Sequence, residues 1–139
     1  MDELTFSEEV KGKWGEWIEE DFCSKDVERF LLAIREENID EYIKNKIIPP
    51  TFFTCFRKGR PDHGVKGFRT FLHAEQEYEF FSFPDYGERI RYRTRVADIY
   101  EKVSKRTGRK MVFVVFETEY YSVRDGRLLC IAKATLVFM

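Results

Sequence analysis

Four acidic side chains crowd one short stretch of this chain, FLLAIREENIDEY, from Phe30 to Tyr42. Glu36, Glu37, Asp40 and Glu41 stand beside Asn38 at the end of an apolar run. Carboxylates so placed can act as general bases or acids if burial or a neighbour tunes them. The same residues also make an ordinary solvated helix end, because Asp and Glu are almost never buried unpaired. The chain has two histidines. His63 lies in the glycine-rich segment RKGRPDHGVKG and reads as a surface residue. His73 lies in LHAEQEYEFF near Gln76, and is either a proton-transfer group or a hydrogen-bonded structural one. Cys23, Cys55 and Cys130 are widely spaced without a CxxC pair, which fits neither a disulfide framework nor a zinc cluster. They read as reduced thiols, and Cys55, with no histidine base beside it, as a small buried hydrophobe.

Positioning such groups takes a fold, and 139 residues suffice for one domain, residues 1–139, with a single core. Aromatic residues make up 17% of the chain, including 14 Phe and 7 Tyr, so the core is expected to be ring-filled and strand-rich. Lysine plus arginine (24) nearly balance aspartate plus glutamate (25), which argues against nucleic acid and acidic membrane surfaces as partners. The acidic start MDELTFSEEV has no basic-then-apolar leader pattern, and no apolar run is long enough to span a bilayer. A cytoplasmic location is expected.

Ser24 is a good helix N-cap, and Val27, Phe30, Leu31 and Ile34 recur at helical spacing, predicting a core-facing helix that ends near Glu37 and Asn38. Pro49-Pro50 is the next stop and can open a short helix at TFFTCF. Arg57 to Gly67 is a loop. From Thr70 the period changes to two, the sign of strands. In TFLHAEQEYEFF the alternation puts Leu72, Ala74, Tyr78 and Phe80 on one face and Glu75, Glu77 and Glu79 on the other. In RIRYRTRVADIY it opposes Ile90, Tyr92, Thr94 and Val96 to Arg89, Arg91, Arg93 and Arg95. Paired about the turn FPDYGE, the glutamate row would meet the arginine row. That arginine row reads as a salt-bridged outer face, or as a site for phosphates or an acidic carrier protein. KMVFVVFETEYYS and RLLCIAKATLVF flank a strong Asp125-Gly126 hairpin signal. KWGEWIEEDF supplies a short fifth strand, with Trp14 or Trp17 covering one end of the core.

This order resembles the hot-dog fold, an α+β architecture in which a curved antiparallel sheet of about five strands wraps around a central helix. Specific residues sharpen the likeness: IPPTFF (Ile48 to Phe53), LHAEQEYEFF (Leu72 to Phe81), RVADIYEK (Arg95 to Lys102) and the final hairpin resemble the N-terminal half of MaoC-like acyl-thioester dehydratases. The resemblance implies reversible hydration of a trans-2-enoyl thioester of coenzyme A or acyl carrier protein, with no metal and no cofactor beyond the thioester itself. Catalytic members carry an aspartate and a histidine in a Gly-Asp-x-Asn-Pro-x-His turn after the first helix. Aligned on Phe30 and Asn38, this chain has Arg35 for the glycine, Glu36 for the aspartate, Ile39 for the proline and Glu41 for the histidine. A carboxylate cannot replace an imidazole that donates from one nitrogen while accepting at the other.

The expectation is therefore a structural and acyl-binding subunit of an (R)-specific enoyl-thioester hydratase or 3-hydroxyacyl-thioester dehydratase. It pairs with a catalytic hot-dog chain, or as a homodimer, and is inactive alone. Phe52, Phe53, Thr54 and Gln76 are its substrate-binding candidates, and Glu36 and His73 its weak catalytic candidates. The alternatives are a self-sufficient divergent hydratase or thioesterase, and a non-enzymatic acyl-thioester-binding assembly module.

Overall fold

The computed structural model describes residues 3–21, 24–46, 52–53 and 56–139. Cys23, Pro49, Pro50, Thr54 and Cys55, which carry expectations above, lie outside the described residues. Five antiparallel strands form one curved sheet: β1 (Ile18–Asp21), β2 (Phe71–Phe80), β3 (Arg89–Val103), β4 (Lys110–Ser122) and β5 (Leu128–Phe138). Their spatial order is β1-β3-β4-β5-β2, so β1 and β2 are the edges. Helices α1 (Ser24–Ala33) and α2 (Ile39–Lys44) precede β2. The expected α+β sheet with a core-facing helix is the architecture observed.

Strict alternation in β3 and β4 gives the sheet one buried face. Ile90, Tyr92, Thr94 and Val96 of β3 and Val112, Val114, Phe116, Thr118 and Tyr120 of β4 are all buried. Two coverings complete the core. Val27 and Leu31 of α1 join Phe52, Phe53 and Phe56 over one half. Leu4, Phe6, Val10 and Val65 cover the other. The aromatic excess in the sequence is used here, with Phe53 edge-on to Tyr120 at 5.1 Å and Phe30 to Phe52 at 5.4 Å between centroids. Among the described residues no helix is long and apolar enough to cross a membrane, and no group of three His, Cys, Asp or Glu is placed to hold a metal ion.

Three expectations fail for stated reasons. Helix α1 stops at Ala33, short of Glu37, leaving Ile34 exposed. The chain turns there and makes a second short helix, α2, which the sequence pattern did not predict. β2 does not form a hairpin with β3, because β4 and β5 lie between them. The arginine row meets other acids: Arg95 binds Glu117 at 2.7 Å, Arg93 lies 3.7 Å from Glu119, and Arg89 binds Glu19 and Asp21 at 2.9 Å. The charge logic is as expected, but β4 and β1 supply the partners. Trp14 and Trp17 cap no end of the core. They lie on this outer face, where Arg91 stacks on Trp17 at 3.9 Å and Arg93 on Trp14 at 4.1 Å. Arg89, Arg93 and Arg95 thus have carboxylate partners within the chain, as the reading of a salt-bridged outer face expects, and Arg91 has the Trp17 ring.

The crossover from β2 to β3 is fastened by a buried carboxylate. Glu88, with its side chain 2% exposed, accepts from Ser122 Oγ, from the Asp85 N–H at 2.7 Å, and from both Arg127 Nη atoms at 3.1 and 3.2 Å. Burial alone would raise the Glu88 carboxyl, but the hydrogen bonds from Ser122, Asp85 and Arg127 outweigh it and hold it below its ordinary value. Arg127 also donates to Ser82 Oγ at 3.0 Å and the Phe83 carbonyl at 3.1 Å, tying the crossover to the β4–β5 turn. Glu88→Ala removes the acceptor shared by Ser122, the Asp85 N–H and Arg127, whose half-buried guanidinium keeps only Asp125 as its close carboxylate, and is expected to cost about 1–3 kcal/mol in urea denaturation at pH 7. The carboxyl titrates lower folded than unfolded, so its contribution is complete above the unfolded value near ~4.3 and is lost as pH falls through the folded one. The gap between parent and variant should therefore close in the same titration below about pH 4.

Candidate functional site

A concave feature on the core side of the sheet lies beside edge strand β2, and one extra residue shapes its wall. His73 pairs with Leu136 and Glu75 with Thr135, so Ala74 is an unpaired bulge. A strand exchanges faces with each residue, so the bulge places Phe71, His73, Gln76, Tyr78 and Phe80 on the core side together. The expected face of Leu72, Ala74, Tyr78 and Phe80 is thus corrected at its first half. Leu72 points outward and is 57% exposed.

The cavity, about 340 Å³, takes Phe71, His73, Gln76 and Tyr78 as its β2 wall. Its floor is small and apolar, with Ala132, Ala134 and Leu136 of β5 beside Thr118 and Tyr120 of β4. The Tyr120 hydroxyl donates to the carbonyls of Phe56 at 2.8 Å and Phe53 at 3.3 Å, and burial pushes its pKa up, so it remains a neutral phenol. Thr118 shares a buried 2.8 Å hydrogen bond with Thr94. Arg57 and Arg60, from the loop before β2, complete the lining. The sequence reading missed both; its available signal was two arginines three apart immediately after an aromatic run.

The sequence candidates separate spatially. His73 and Gln76 share the cavity, with the His73 Nε2 3.0 Å from the Glu75 carbonyl. Phe52 and Phe53 are 2% and 0% exposed and sit in the core behind it. Thr54 lies outside the described residues. Glu36 lines none of the described cavities; its Oε1 accepts from the Asn38 N–H at 3.3 Å in the turn between the helices. Glu36 and His73 therefore form no acid–base pair. His63 is no free surface residue: its ring packs 4.4 Å from Phe138, Nδ1 accepts from the Val65 N–H at 3.0 Å, and burial lowers its pKa. Cys130 is a buried thiol whose pKa burial raises to about 12. The cavity can bind a polar or anionic group over an apolar floor, but its lining offers no carboxylate to serve as a general base.

The turn between α1 and α2 carries a second observation. Arg35 has φ of 59°, the Glu36 N–H donates to the Leu31 carbonyl at 3.0 Å, and the Arg35 N–H to the Leu32 carbonyl at 3.1 Å. This paired closure ends a helix and favours glycine at the left-handed position. Arg35 thus stands in the conformation that the glycine of the Asp/His turn would favour. The next step differs. Ile39 is the first residue of α2, and Asn38 before it has ψ of 39°, a value that residues preceding proline avoid.

Sheet order, helix and concave pocket define a hot-dog protein. The chain belongs to the family described as FAS1-like, dehydratase domain region, whose sequence model matches residues 20–130. No curated protein matches it. Among solved structures it is similar to a chain of the C-terminally truncated HadBC (3R-hydroxyacyl-ACP dehydratase) complex from Mycobacterium tuberculosis. That match has 16% identity and a TM-score of 0.65, and covers 93% of this chain and 97% of that one. It is also similar to a chain of the ChsH1-ChsH2 complex from the same organism, with 10% identity, TM-score 0.66 and coverage of 89% and 87%. The unliganded R-hydratase PhaJ1 from Pseudomonas aeruginosa matches with 11% identity, TM-score 0.62 and coverage of 91% and 79%. At such identities the likeness is one of fold.

The strained arginine gives a direct check on the turn. Arg35→Gly should raise stability by about 0.5–1 kcal/mol in urea denaturation, the left-handed penalty less glycine's entropy cost. Ile39→Pro should lower it.

Proposed function

We propose that this chain is the acyl-binding and structural half of an enoyl-thioester hydratase or 3-hydroxyacyl-thioester dehydratase, paired with a second hot-dog chain that carries the Asp/His dyad. The turn between α1 and α2 carries this reading. It keeps a left-handed residue at position 35, yet offers only Glu36, bound to a backbone N–H, and an exposed Glu41. The reaction adds the oxygen of water to the β-carbon and a proton to the α-carbon. It needs an imidazole able to move that proton both ways, and the partner supplies it. This chain contributes β2, Gln76 and the apolar floor for the acyl group, whose thioester is carried by coenzyme A or acyl carrier protein.

Edge strand β2 supports the pairing. It hydrogen-bonds to β5 on one side only, and its Phe71 and Leu72 are 56% and 57% exposed. A second sheet joined there would satisfy the free edge and cover both side chains. Membership of a dehydratase-region family, and the likeness to chains of two complexes, fit the same reading.

Co-expression with a hot-dog chain bearing Asp-x-Asn-Pro-x-His, followed by crotonyl-CoA hydration assays, tests the proposal. The pair should turn over while this chain alone stays at the buffer rate, and Glu36→Gln in the pair should change the rate less than about twofold. Turnover by the lone chain that Glu36→Gln abolishes would favour a self-sufficient enzyme. A stable pair without turnover would favour an assembly module.

A further inference from the structure

We infer that the cavity beside β2 is an oxyanion-recognition site in which Arg57 and Arg60 bind a carboxylate or phosphate group above a small apolar floor. The site rests on its own geometry and does not require the hydratase reading.

The first observation is an imbalance of charge. Arg89, Arg93, Arg95, Arg124 and Arg127 have carboxylate partners within 4.0 Å and Arg91 stacks on Trp17, while the exposed Arg29, Arg106 and Arg109 have no ion pair among the described residues and line none of the described cavities. Arg57 and Arg60 have no ion-pair partner among the described residues, and no acid lines the cavity they share. The contrast extends to the residue between them, since Lys58 pairs with Glu20 at 3.1 Å. Two guanidiniums facing one cavity without a counter-ion leave a positive potential there, and an anion would relieve it.

The second observation is that the loop carrying both exposed arginines is held in place, and that one of them, Arg60, packs on a ring. The Lys58 N–H donates to the Tyr92 hydroxyl at 3.1 Å, fixing the backbone between them to the core. Gly59 has φ of 72°, and a Cβ there would meet Ile18 at 2.8 Å, so the loop is pressed against β1 in a conformation that suits glycine. The Arg60 guanidinium lies 5.0 Å over the Phe116 ring. Burial there lowers its pKa, and the Arg57 charge acts in the same direction. A guanidinium already packed on a ring, as Arg60 is, forms charge-assisted bonds with less loss of side-chain freedom than a free one.

The lining also limits the ligand. Gln76 supplies an amide donor. With its Nε2 bonded to the Glu75 carbonyl, His73 walls the cavity and is not needed as a donor to the anion. Ala132, Ala134 and Leu136 leave room for a short carbon chain behind the anionic head. The oxyanion can come from the far end of a dicarboxylic acyl group or from the phosphates of a thioester carrier.

Isothermal titration calorimetry on the full chain, without partner or turnover, separates these sources through three probes: glutarate, coenzyme A and inorganic phosphate. Saturable one-to-one binding of at least one probe is expected, weakened about tenfold or more by Arg60→Gln and by Arg57→Gln separately. Lys105→Gln, on the β3–β4 hairpin, should bind as the parent does. Glutarate binding assigns a carboxylate; coenzyme A or phosphate binding without glutarate assigns a phosphate. Failure of all three probes to saturate would overturn the inference. So would binding unchanged in either arginine variant while its circular dichroism matches the parent. Because no hydration is measured, either failure leaves the paired-enzyme reading to its own assay.

Discussion

A β-strand has two faces, one additional residue exchanges them, and in β2 that residue is Ala74. Were alternation unbroken, Gln76 opposite Ala134 would put Ala74 opposite Leu136 and turn His73 to the outer face. With the bulge, Phe71 and His73 close one end of the cavity while Tyr78 and Phe80 reach the α1–α2 side of the core. The placing of Phe71 and His73 as cavity walls depends on that change of parity, whereas Gln76 faces Ala134 with or without it. The bulge's position in an edge strand is physically sensible, because an unpaired residue there disrupts only one ladder.

Charge is neutralised locally on the outer face of the sheet and at the crossover. The outer face matches Arg93 and Arg95 to Glu119 and Glu117, and the crossover buries Glu88 beneath Arg127. Arg57 and Arg60 remain unmatched at the cavity. The α1–α2 turn is the converse case, with acids beside a left-handed Arg35 and no imidazole among them.

Much of the fold was legible because its signals are periodic. β4 and β5 follow the predicted segments closely, and the Asp125-Gly126 turn joins them as its composition implies. Pairing was less legible. Glu75, Glu77 and Glu79 and the acids at 117 and 119 are chemically equivalent partners for the arginines, and only the three-dimensional crossover selects the second set. The bulge was hidden because Phe71 and Leu72 are both apolar, so either phase of alternation satisfied the pattern. Helix α1 carried an apolar stripe past its true end, since Ile34 fits the stripe but the left-handed Arg35 stops the helix before it. At the site, Gln76 was found through its strand segment. Arg57 and Arg60 were passed over because a charged, glycine-rich loop is usually solvated, and only the fold brings it over β5.

The parity of β2 decides which side chains wall the cavity, and proton–proton NOEs on the labelled full chain read it directly. The account predicts cross-peaks from the His73 ring to the Leu136 methyls and from the Gln76 side chain to the Ala134 methyl in one protein. Contacts from the Ala74 methyl to Leu136, with the His73 ring free of them, would contradict it.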